Sequence, residues 1–235
     1  CACTSHFGYL EREEMFGGYV NIANAFRQIK PRIFCLSEGI KKVYNVLMDI
    51  PKDRLFVSPN GVNTSAFRST DSPHNADRSI YLAKIDYRKR QHLFQSIDSL
   101  YYAGNIADER FDTEKNYLGE WTKEFLYDNL TEYGNLVLLS DGEAHPLVCM
   151  EAFAAGLGVV VTEWGKANLD VDKEFITVIP EKHIGDLEFL EYEIAKNRVY
   201  SVQHREEILK YAEKFDWINV VKDHYIPNIQ KVLSL

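Results

Sequence analysis

The chain has 235 residues, 46% hydrophobic and 26% charged, the composition of an ordinary globular protein rather than a disordered one. Its 35 Asp and Glu against 27 Lys and Arg give a formal net charge of −8, and the mean field of such a chain repels polyanions, which argues against nucleic-acid binding. No run of 18 apolar residues spans a membrane, though peripheral contact with one stays open, and no basic segment before an apolar one marks a secretory leader. Cysteines at 1, 3, 35 and 149 have neither the density of a disulfide framework nor metal-ligand spacing; Cys149 reads as a core residue. A reducing, cytoplasmic setting is expected, in which the sequons Asn63-Thr64-Ser65 and Asn129-Leu130-Thr131 arise by chance. A chain that opens on Cys1 is expected to be a processed or truncated piece of something longer.

Apolar β-branched runs alternate with stretches of helical period, the pattern of an α/β protein. Ile33–Leu36 predicts a strand, followed by a helix opened by Ser37 and Glu38 and running to about Met48. Arg54–Ser58 predicts a second strand, closed by the turn Pro59-Asn60-Gly61. Residues 69–78 are polar and read as a linker, and Ile80–Ala83 starts a second unit. Leu93, Ile97, Leu100 and Tyr101 then recur at helical spacing. Asn105–Asn116 reads as a surface loop, Thr122–Tyr133 as a helix and Leu136–Leu139 as a buried strand. A helix from Pro146 to Ala155, stopped by Gly156, precedes the strand Val159–Thr162. The tail reads as two helices, Val199–Lys214 and Trp217–Leu235.

Two loops follow predicted strands, where open α/β sheets bind ligands. The first, Lys84-Ile85-Asp86-Tyr87-Arg88-Lys89-Arg90, packs four cations into seven residues of an acidic protein. Such a cluster suits a diphosphate; the alternative is a solvated charge run. The second, Ser140 to Pro146, enters a helix whose first backbone N–H groups, at Leu147 and Val148, form a natural anion site. Glu151 sits in that otherwise apolar helix and needs partners; two vicinal ribose hydroxyls would satisfy it, while complementing the helix dipole is the plainer reading.

Glu143 and Glu151 fall in the pattern Ser-x-x-Glu-x7-Glu-Ala-x-Ala-x-Gly, which resembles the signature of retaining glycosyltransferases of the GT-B fold, most like glycosyltransferase family 4. Further segments follow in the family's order over roughly residues 33–235. Leu36–Lys41 is similar to its "vSe.ik", Leu55–Phe67 to its "v.viPNGvd...F", and Leu82–Ile85 with Lys89 to its "vGRl....K". Tyr117-Leu118-Gly119 is similar to its "flG", and Phe215-Asp216-Trp217 to its "fsW".

The resemblance implies a GT-B type α/β fold. Its N-terminal, acceptor-side part would be truncated to residues 1–68. Residues 69–78 would be the linker, 79–218 a Rossmann-like nucleotide-sugar-binding domain, and 219–235 a helix that packs back on the N-terminal part. It implies that Lys84 and Lys89 hold the donor diphosphate, that Glu151 binds the ribose, and that Glu143 stands beside the transferred sugar. The segment His145, Pro146, Leu147 and Val148 would offer backbone amides to sugar and phosphate. Glu120 falls where the backbone meets the base, and His6 matches the family's N-domain histidine that faces the reacting sugar.

Lys84 replaces a usual Arg, Ala83 and Arg90 usual glycines, Gly158 a usual proline, and Ala144-His145 a usual Gly-Phe. The expected activity is therefore transfer of a hexosyl unit from a UDP- or GDP-sugar with retention, without cofactor or metal. The alternative is a catalytically inactive or truncated nucleotide-sugar-binding module. A nicotinamide-dependent oxidoreductase fails for want of a G-x-G-x-x-G after any strand. No motif names the acceptor, the sugar or the base.

Overall fold

The computed structural model describes residues 2–5 and 20–234. Two parallel sheets organise them. The first holds β1 (Ala2–Ser5), β2 (Arg32–Cys35) and β3 (Leu55–Val57) in that spatial order, with Cys3 opposite Ile33 and Phe34 opposite Phe56. Helix α1 (Val20–Ile29) precedes β2, and α2 (Glu38–Val46) follows it. Ser37 caps α2 by accepting a hydrogen bond from the Ile40 N–H, the expected role of a serine before an apolar-periodic run.

The second sheet holds β4 (Asn75–Leu82), β5 (Leu100–Ala103), β6 (Tyr133–Leu138), β7 (Gly158–Thr162) and β8 (Ile176–Ile179), all parallel, in the order β5-β4-β6-β7-β8. Every residue of β6 and β7 is buried, as strands covered on both faces must be. The helices here are α3 (Lys123–Asn129), α4 (Leu147–Ala154), α5 (Leu187–Gln203) and α6 (Arg205–Ala212), then the short α7 (Trp217–Val220). A π-turn over Val221–Tyr225 leads into α8 (Ile226–Leu233). Among the described residues no helix is long and apolar enough to cross a membrane.

Several sequence expectations need correction. No α-helix follows β4: Gln91–Leu93 forms one 3-10 turn, and Leu100 and Tyr101 belong to β5. The i,i+3 pair Phe94 and Ile97 is buried through successive tight turns, so helical spacing arose without a helix. The stretch read as linker contains the first half of β4, which starts at Asn75, paired with Tyr133. Its solvent-facing Asp77 and Arg78 gave it a linker's polarity. The stretch read as a surface loop buries Asp108 and Phe111. The tail's first helix begins at Leu187, not Val199, and breaks at His204. Strand β8 and helix α1 were not expected at all.

A buried polar lattice ties α5 to the sheet. Asn135 on β6 accepts from Ser79 and donates to the Ile194 carbonyl and to Asn197, whose own amide donates to the Val159 and Phe175 carbonyls. Gly158 completes it: its N–H donates at 2.7 Å to the Ser201 hydroxyl, which a proline at this position could not do. A Cβ there would lie 2.8 Å from the Phe175 carbonyl oxygen. Gly158→Ala is therefore expected to cost about 1–3 kcal/mol through overpacking. Gly158→Pro should cost more, since it also strands the Ser201 hydroxyl. Urea unfolding at pH 7.5 of both variants checks the order; an Ala variant as stable as wild type would refute the close approach.

Candidate functional site

The spatial order of the second sheet reverses between β4 and β6, and the loops after these strands part there to leave a crevice. The cationic loop after β4 and the loop entering α4 face each other across it. The crevice measures about 410 Å³ and is lined by Ala83, Lys84, Gly104, Glu120, Trp121, Lys123, Leu147, Val148 and Glu151 among others. A second hollow of about 400 Å³ shares Lys123, Leu147 and Glu151 and adds Asn60, Phe67, Tyr127 and Trp217. A larger hollow, about 600 Å³, lies between α2, β3 and α8; it mixes Lys41, Lys52 and Lys231 with Glu38, Asp53 and Asp223 and is away from the strand ends where the sheet order reverses.

Gly104, just after β5, lets the exit of that strand approach the end of β4. It has φ +146°, and a Cβ on it would fall 1.9 Å from the Ala83 carbonyl oxygen. Lys84 is exposed at the rim, its carbonyl held by the Gln91 side chain at 3.0 Å. Arg88 and Arg90 do not face solvent: their side chains are only 15% and 12% exposed, so the loop is no solvated charge run. Arg88 donates at 2.6 Å to the Gly142 carbonyl, and the Arg88 carbonyl accepts from the Asp141 N–H at 2.9 Å. Arg90 pairs with Asp141 and meets Glu181 at 2.8 Å. Its φ is +59°, a left-handed conformation that costs a non-glycine residue about 1–2 kcal/mol. The two ion pairs offset that strain.

Lys89 pairs with Glu143, whose backbone N–H donates to the Trp164 carbonyl at 3.1 Å. Glu143 therefore contacts the cationic loop directly, while Glu151, on α4, lines the crevice itself. Glu151 is 7% exposed, and its partner is Lys123, at 2.6 Å. Burial pushes the Lys123 ammonium's pKa down, but the hydrogen bond and charge of Glu151 outweigh it and hold the value above the ordinary one. Sequence reasoning asked for a partner to Glu151 but missed Lys123, which is 28 residues upstream on another helix and announced by no local pattern.

Apart from Glu151, helix α4 is apolar, and no side chain caps its N-terminus. Pro146 is its N-cap rather than its first helical residue, one position earlier than expected, so Leu147 and Val148 open the helix toward the crevice. Glu120 is exposed at the rim, 3.5 Å from the Asn105 amide.

His145 points elsewhere. It is 5% exposed, and its Nδ1 accepts the Asn60 N–H at 3.0 Å, tying the turn after β3 to the loop before α4. His6 lies outside the described residues. Among the described residues no group of three or more His, Cys, Asp or Glu side chains is arranged to hold a metal ion.

No protein-family model and no curated protein sequence matches the chain. Solved structures do. WaaG, a glycosyltransferase involved in lipopolysaccharide biosynthesis, superposes with TM-score 0.63 at 14% identity, covering 81% of this chain and 62% of WaaG. HepE of Anabaena, solved with UDP and glucose, superposes with TM-score 0.70 at 14% identity, covering 99% and 71%. The pneumococcal O-GlcNAc transferase GtfA, solved with UDP and GlcNAc, gives 0.71 at 12% identity, covering 98% and 52%. The chain thus spans about half to seven-tenths of the length of these structures, and its fold is the GT-B fold they share.

Burial also sets a pH dependence. It pushes the His145 pKa from 6.5 down to about 4, so the folded state holds the ring neutral. Its contribution to stability is complete above the unfolded pKa near 6.5 and is lost as pH falls from there toward 4. At about 1.4 kcal/mol per pH unit, up to about 3 kcal/mol is withdrawn. His145→Asn, which keeps an acceptor for the Asn60 amide, should flatten this part of the profile. Urea midpoints at pH 7.5 and 4.5 test it; equal acid losses in the two proteins would count against a buried neutral imidazole.

Proposed function

We propose that the chain is a glycosyltransferase that takes a sugar from a nucleoside-diphosphate sugar and transfers it with retention of configuration. The observation that carries this reading is the meeting, at one sheet reversal, of Lys84, the uncapped N-terminus of α4 and the buried carboxylate of Glu151. A nucleoside diphosphate presents complementary groups in the same sequence: anionic phosphates for the cation and the helix N–H groups, then vicinal hydroxyls for the carboxylate. The UDP bound in HepE and in GtfA supports the donor class.

On this reading residues 79–218 form the donor domain and residues 1–68 belong to the acceptor side. The contact of Asn228 on α8 with the Val57 carbonyl, at 2.7 Å, supports a final helix that returns to the first sheet. Bond cleavage leaves negative charge on the departing β-phosphate. Lys84, Lys89 and the first N–H groups of α4 supply fixed positive potential there, the electrostatic stabilisation that such a step needs, and no metal is required for it. Glu120 and its neighbours border the base. Glu143 orients the sugar and compensates charge on its reacting face rather than attacking it, with acceptor and leaving group on the same face. Lys123 must share Glu151 with the ribose hydroxyls or yield it to them.

Titration of UDP and GDP by calorimetry, with a thermal-shift panel of UDP-, GDP-, ADP- and CMP-sugars, tests the reading directly. Lys84→Ala is expected to weaken the preferred nucleoside diphosphate by about 1.5–3 kcal/mol, roughly 10- to 150-fold. Glu151→Gln should weaken nucleotide and nucleotide-sugar alike while sparing inorganic pyrophosphate. EDTA should leave all affinities within about threefold. A wild-type chain that binds no nucleoside diphosphate would refute the proposal, and loss of binding in EDTA restored by Mg²⁺ would refute its metal-free form.

A further inference from the structure

Lys89, the cation that the proposed donor site needs on the diphosphate, is already engaged. Its ammonium sits on the Glu143 carboxylate, and the two side chains are only 12% and 14% exposed. The same Glu143 oxygen lies 3.6 Å from an Arg88 guanidinium nitrogen. The backbone around both groups is pinned. The Tyr81 hydroxyl donates to the Lys89 carbonyl at 2.6 Å, Arg88 donates to the Gly142 carbonyl at 2.6 Å, and the Glu143 N–H donates to the Trp164 carbonyl at 3.1 Å. What is left to move is the contact between the two side-chain ends.

A carboxylate on a lysine occupies the position that a phosphate oxygen would take, and offers it less charge and fewer acceptors. We infer that Glu143 is a place-holder for the donor diphosphate on Lys89, and that Arg88 is the positioning residue that receives the carboxylate when the diphosphate displaces it. This inference rests on the donor-site reading above. The ion pair keeps Lys89 compensated, so neither side chain is left as an unpaired, mostly buried charge. Arrival of the diphosphate frees Glu143 to turn toward the sugar. Arg88, fixed by the Gly142 carbonyl, keeps the freed carboxylate from drifting back. The arrangement ties the orientation of Glu143 to occupancy of the phosphate site.

The test uses inorganic pyrophosphate, which carries the diphosphate without a base, alongside UDP and GDP. Removing the place-holder should tighten binding: Glu143→Gln is expected to bind pyrophosphate and the preferred nucleoside diphosphate at least threefold more strongly than wild type, with lower turnover. The gain should vanish in Lys89→Ala, so the two changes are non-additive. Arg88→Met should weaken pyrophosphate binding more when Glu143 is present than in Glu143→Gln, a coupling that a purely structural role would not produce. Thermal melts of each variant, with Glu143→Asp as a shape control, separate these effects from misfolding. If wild type binds a nucleoside diphosphate but Glu143→Gln binds it no more tightly, the place-holder falls and the donor site stands. If wild type binds neither pyrophosphate nor any nucleoside diphosphate, both fall together.

Discussion

The placement of β4 between β5 and β6 is the constraint on which the rest of the molecule depends. Because β4 pairs on both edges with parallel partners, the chain leaves it toward one side and leaves β6 toward the other, and the two exits cannot cover each other. A crevice follows from the topology, with no side chain needed to open it. The loops bordering it carry opposite charge: Lys84, Arg88, Lys89 and Arg90 on one, Asp141 and Glu143 on the other. Loops of like charge, half buried at this distance, would repel. Opposite charges let them lie together. Arg90 shows how strong the demand is, holding a left-handed backbone in exchange for contacts with Asp141 and Glu181.

Much of this was legible in the residues. The all-apolar run at Leu136–Leu139 and the helix after Pro146 are encoded locally, and Cys149 is buried as its neighbours imply. Ser37 as a helix cap is a local signal too. What escaped had no local signal. Ile97 and Leu100 carry a helical spacing because both side chains must reach the core, and successive tight turns satisfy that need as well as a helix does, while Leu93 stays exposed. Asp77 and Arg78 lie on a strand yet face solvent, which disguised the first half of β4. Arg88 and Arg90 looked like surface charges, since their partners lie more than fifty residues away. Lys123 illustrates the same limit, because tertiary structure alone brings it to Glu151.

The two sheets keep separate apolar cores. Ile33, Ile40, Met48 and their neighbours form one, and the residues of β4–β8 and their helices form the other. Ala144, from the loop before α4, packs against the first core, and polar contacts join the two parts as well. Asn168 donates to the Leu36 carbonyl at 2.7 Å, Asn228 reaches Val57 and Ser58, and Thr64 donates to Asp216 at 2.6 Å. Interfaces of this kind permit movement, unlike a shared hydrophobic core. One of them carries mechanical weight. His145, gripping the Asn60 amide, is two residues from Glu143 and two from the start of α4 at Leu147. His145 therefore joins the turn after β3 both to the loop that holds Glu143 and to the start of α4. Burial keeps that ring neutral, so the link is a single neutral hydrogen bond, about 1 kcal/mol in net worth, rather than an ion pair.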